Sequence, residues 1–122
     1  MIKALLLGTA LGVIAEIIAY SANLWKYHKT VSPLINSLCM FGLIMGSVSL
    51  LQPAIGPGAV FLIGFVIGYA YEWANFLLLD WWVFPDERLL IFRGRQACAL
   101  ALAVTWGLVP VIVAQLSSRL PI

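Results

Sequence analysis

Gly8-Thr9-Ala10-Leu11-Gly12-Val13-Ile14-Ala15-Glu16 decides how this chain is read, because the sequence contains its outline twice. Gly64, Gly68 and Glu72 repeat the spacing of Gly8, Gly12 and Glu16 fifty-six residues later, and Trp81 follows Glu72 as Trp25 follows Glu16. Four residues make slightly more than one helical turn, so each Gly-Gly-Glu set runs along one helical face. Glycine at that interval clears the face of side chains and lets another helix approach closely. Only three Glu occur in the chain, and two of them hold these matching positions.

The surroundings of both acids are apolar. The 122 residues are 63% hydrophobic and 10% charged, whereas soluble domains run near half apolar and a quarter charged. A soluble fold of this size would lack the polar surface to cover itself. Helices in a bilayer have no such need, because each closes its own backbone hydrogen bonds. The net charge of +2 is small and its basic residues are scattered in loops, which argues against a nucleic-acid partner.

Four apolar segments approach the roughly 20 residues needed to cross a bilayer: about Ala4 to Leu24, Leu34 to Leu51, Ala59 to Leu79, and Ala97 to Leu116. None alternates with period two, so helices are expected rather than barrel strands. The first could pass for a signal peptide, with Lys3, an apolar run and Ala19-Tyr20-Ser21-Ala22. Glu16 interrupts that run, and the segment is read as a retained anchor. Gln52 to Gly58, with two Pro and two Gly, is expected to form a tight turn. The connection from Trp81 to Arg95 carries an apolar run flanked by charge and suggests a segment lying along the interface. The fold class expected is therefore all-α: a single membrane domain of four transmembrane helices, arranged as two parallel helix-hairpin repeats of about 1–56 and 57–122.

Lys26, Lys29, Arg88, Arg93 and Arg95 fall in the first and third connections, against Lys3 and Arg119 on the other side. Positive charge favours the cytoplasmic side, so both termini are expected outside, in a bacterial inner membrane.

A carboxylate at bilayer depth costs about 2.5–3.5 kcal/mol on insertion scales, and no Lys or Arg lies within any of the four segments to pair with it. Both acids are therefore expected to stand protonated for much of the time and to act as a proton- or cation-binding pair. Asn23, Asn75, Tyr20 and Tyr71 are the polar partners expected on their own helices, and Gly8, Gly12, Gly64 and Gly68 the packing positions. Arg93 and Arg95 suit contacts to lipid phosphate. His28 reads as a solvated loop residue, and Cys39 and Cys98 as packing. No metal or cofactor is implied, since two Glu and one loop His are too few ligands.

Glu72, Trp82-Val83-Phe84, Gly94-Arg95, Cys98 and Trp106-Gly107, with Gly12 and Glu16, resemble the CmpB-type family of small membrane proteins, catalogued as ABC-transporter type IV components. Ala15-Glu16-Ile17-Ile18 is also similar to the first helix of small multidrug resistance transporters, four-helix chains with one essential Glu in that helix. Both resemblances imply transport. The expected function is a small transport component, acting in the bilayer as a homo-oligomer. An accessory subunit of a larger membrane complex is the alternative, and an enzyme acting on a lipid or isoprenoid a third.

Overall fold

The computed structural model describes residues 1–28 and 31–121; Lys29, one of the loop charges counted above, lies outside them. The chain is 79% helical and all-α in class. Helix α1 covers Ile2–Ala22, α2 Pro33–Ser49, α3 Gln52–Leu79 and α4 Arg95–Arg119. Three of them, α1, α3 and α4, are long and apolar enough to cross a membrane, and α2 is shorter. Helix α1 packs on α2 and α3 on α4, and the two pairs meet where α4 lies against both α1 and α2.

The glycine faces account for the pairing. A Cβ at Gly8 would strike the Phe41 carbonyl oxygen, and one at Gly12 would lie 2.8 Å from the Phe41 ring and the Ser37 backbone. A Cβ at Gly64 would stand 2.7 Å from the Trp106 carbonyl oxygen, and one at Gly68 would enter the Trp106 side chain. In both pairs, therefore, glycines of the longer helix receive an aromatic residue of its neighbour at backbone contact. Phe41 and Trp106 then meet each other in the middle, ring centroids 4.5 Å apart.

The turn expected over Gln52 to Gly58 is shorter than its composition suggested. Helix α2 ends at Ser49 and α3 already begins at Gln52. Gly56, at φ 85° and ψ 164°, breaks the first turn of α3 before Pro57 resumes it. That backbone conformation excludes side-chain-bearing residues on steric grounds, and proline is pre-set for the first position of the helix that follows.

The long connection, expected to lie along the interface, is built largely of short strands. Strand β1 (Lys26–Tyr27) pairs antiparallel with β2 (Trp82–Val83), and β3 (Arg88–Leu89) with β4 (Phe92–Arg93). The β1–β2 ribbon ties the ends of α1 and α3 together, and a 3.3 Å contact between His28 Nε2 and Asp80 Oδ1 extends it. Lys3 closes the opposite end: its ammonium donates to the carbonyls of Ser117 (2.7 Å) and Leu120 (2.9 Å), where the C-terminus of α4 favours positive charge.

Candidate functional site: two acids in a cage of donors

Helices α1 and α3 both end in a left-handed residue, Asn23 at φ 55° and Asp80 at φ 50°, a conformation that Asn and Asp tolerate better than most. Each turn throws an aromatic residue back over the acid of its own helix. The Trp25 indole N–H donates to Glu16 Oε2 at 3.0 Å, and the Trp82 indole N–H to Glu72 Oε1 at 3.2 Å. Sequence spacing pointed to Trp81 as the counterpart of Trp25. Trp82 takes that place because Asn75–Leu79 is wound as a π-helix, closed by the Asp80 N–H to Asn75 carbonyl bond of 2.8 Å, and the wider turn absorbs one residue.

Glu16 is partly buried and accepts two further bonds, from the Tyr27 hydroxyl (2.7 Å) and the Asn36 amide (2.8 Å), both at Oε1. Glu72 is 1% exposed and accepts a second indole, that of Trp106, at 2.9 Å on Oε2. Every side chain among the described residues that bonds either acid thus donates, and an indole N–H can do nothing else. The cage is built for an acceptor.

The expected partners occupy varied positions. Tyr71 donates to Asn36 Oδ1 at 2.8 Å, so a chain of bonds runs from α3 through α2 to Glu16 on α1. Asn75 does not bond Glu72. Its Oδ1 accepts the backbone N–H groups of Trp81 (2.7 Å) and Trp82 (3.2 Å), and its amide donates to the Trp82 carbonyl (2.9 Å). Asn75 therefore positions the turn that delivers Trp82. Tyr20 is 89% exposed, since each four-residue step drifts about 40° round the helix and carries it off the glycine face. It and Asn23 line a cleft of about 380 Å³ together with Glu16, Trp25, Lys26, Tyr27 and Pro33. Trp25, Tyr27, Asn36, Trp82 and Trp106 were not expected as contacts of the acids. Asn36, the one amide of the second apolar segment, is the signal that could have been read.

A second cleft, of about 130 Å³, is lined in part by Phe76, Asp80, Trp82, Val83 and Phe84. These stand 56 or 57 residues after Tyr20, Asn23, Trp25, Lys26 and Tyr27. Its remaining wall differs: Arg95 lies 3.3 Å from Glu87 and 5.5 Å from the Phe76 ring centre, so its guanidinium is already engaged. Arg93 is exposed on β4. Trp82 follows Trp25 by 57 residues, yet Trp106 follows Phe41 by 65. The difference of eight residues is room enough for the β3–β4 hairpin. Between the clefts a void of about 30 Å³ touches Trp25, Tyr27, Asn36, Glu72 and Trp106.

Burial pushes the Tyr27 hydroxyl well above the ordinary tyrosine range, and the charge of Glu16 and its hydrogen bond add to the effect. A group raised on folding contributes stability that is full below its unfolded value near 10 and is lost as pH rises beyond it. The melting temperature is expected to fall more steeply above about pH 10 in the wild type than in Tyr27→Phe, compared by thermal unfolding at pH 8 and pH 11. Equal slopes would show that Tyr27 does not sense its burial.

Comparison with family models, with curated proteins and with solved structures returns no match.

Proposed function

We propose that this chain is a small membrane-spanning transport component, with both termini outside, in which Glu16 exchanges a proton for the cationic group of a substrate. One observation carries the reading. Glu16 is a partly buried acid with no basic partner among the described residues, held by three donors at the edge of a cleft walled in part by Tyr20, Trp25 and Tyr27. Aromatic faces and a carboxylate together attract organic cations.

The two halves are read as copies of one hairpin, in support of which stand the paired glycine contacts, the paired indoles and the corresponding cleft walls. The copies have diverged. The Glu16 half keeps an open cleft, while the Glu72 half carries the β3–β4 hairpin and a smaller cleft walled by Arg95 and Glu87. Glu16 is accordingly the exchanging acid, and Glu72 the acid that holds α3 and α4 together.

Proteoliposomes carrying the wild type should take up radiolabelled choline against a proton gradient. Glu16→Gln should reduce uptake to the level of empty vesicles. Glu72→Gln should chiefly lower the free energy of unfolding, by about 1–3 kcal/mol, because an amide N–H would then face an indole N–H in a buried site. Wild-type uptake in Glu16→Gln would refute the assignment.

A further inference from the structure

Glu16 belongs to a second groove as well. On its other side, Val13, Ile17, Leu34 and Ser37 form an almost wholly apolar channel of about 290 Å³ between α1 and α2, and Tyr20 and Pro33 border both spaces. A polar cleft and an apolar groove thus meet at one carboxylate. Small hydrophilic cations have no use for the groove; an amphiphile fills both.

Three polar groups around that junction remain available. Glu16 Oε1 accepts two bonds but Oε2 only one, so Oε2 retains a lone pair. Lys26 is exposed, lines the cleft and forms no ion pair among the described residues. Ser37 is 1% exposed and lines the groove, yet its Oγ has no hydrogen-bond partner among the described residues. A buried hydroxyl left unpaired costs free energy that a bound acceptor would restore.

We infer that the paired cleft and groove bind one glycerophospholipid with an ammonium headgroup. The ammonium donates to Glu16 Oε2, the phosphate lies against Lys26, the Ser37 hydroxyl donates to an ester carbonyl, and an acyl chain lies along Val13, Ile17 and Leu34. The site carries acid and base together, which matches a zwitterionic headgroup and disfavours an anionic one. This inference rests on Glu16 as the cation-receiving group but not on proton coupling. Choline uptake and lipid binding can therefore fail separately.

The test is native mass spectrometry of the detergent-solubilised chain, titrated with dioleoyl phosphatidylethanolamine and, separately, with dioleoyl phosphatidylglycerol. One phosphatidylethanolamine per chain is expected, bound at least about tenfold more tightly than phosphatidylglycerol, a ratio that one charge-assisted hydrogen bond supplies. Glu16→Gln should erase the preference. Two variants guard against a folding defect: Lys26→Glu alters an exposed side chain, and Ser37→Ala removes a hydroxyl that has no partner. Each should bind phosphatidylethanolamine about three- to tenfold more weakly while melting no lower than the wild type. Equal binding of the two lipids would overturn the inference, as would an undiminished preference in Glu16→Gln. Unchanged affinity in both Lys26→Glu and Ser37→Ala would overturn it too, leaving a plain cation site.

Discussion

Trp106→Ala is expected to lower the free energy of unfolding in mixed micelles by about 3 kcal/mol or more, among the largest effects of any single replacement. Aromatic truncations in cores cost about 3–5 kcal/mol. Lipid tails compensate for lost apolar contact better than water does, so the packing share should fall at the low end of that range. Trp106 nonetheless has more to lose than packing. Its ring fills the face cleared by Gly68, meets Phe41 at 4.5 Å and Tyr71 at 5.7 Å, and its N–H is one of the two donors to Glu72. Trp106→Phe separates the contributions, since it keeps most of the ring and removes the donor. It should cost about 1–3 kcal/mol, the expense of leaving a buried acceptor short of a partner. If Trp106→Phe unfolds at the wild-type midpoint, the indole bond to Glu72 contributes nothing.

Gly8→Ala is the second large effect expected, about 1–3 kcal/mol of destabilisation from overpacking. The added methyl would collide with the Phe41 carbonyl oxygen, a backbone atom that no rotamer change can move. Relief therefore requires α1 and α2 to separate, which would also disturb the Asn36 bond to Glu16. Gly58→Ala is the internal comparison: a Cβ there meets nothing within 4 Å, and alanine is about 1 kcal/mol more favourable than glycine within a helix. Unfolding midpoints of the two variants should shift in opposite directions. A Gly8→Ala midpoint equal to that of the wild type would mean that the α1–α2 contact yields more readily than its backbone geometry implies.

Much of this architecture was legible in the residues. The four apolar segments and the role of the glycine faces followed from hydropathy and helical period. What escaped is where local winding departs from regularity. The π-turn at Asn75–Leu79 moves Trp82 into the place that spacing gave to Trp81, and the break at Gly56 hides the early start of α3 behind apparent turn residues. Pro53 and Pro110, 57 residues apart, occupy unrelated places: one opens α3, while the other packs against Gly64 inside α4. The donors to the acids were harder still, because Trp106 and Asn36 reach them from neighbouring helices. Periodicity describes a single helix and carries no information about which side chain crosses from the next.

The indole bonds have one practical consequence. Of the five Trp in the chain, three hand their N–H to a carboxylate: Trp25 to Glu16, and Trp82 and Trp106 to Glu72. Indole emission is sensitive to the electric field along the ring and to what its nitrogen is bonded to. Any event that neutralises or displaces one of these acids therefore alters the light emitted by a residue 2.9–3.2 Å away. Trp25 signals for one acid, Trp82 and Trp106 for the other, and conversion of Trp73, Trp81 and either set to Phe leaves the other to be observed by itself. The molecule carries an optical probe at each of its two acids without any label.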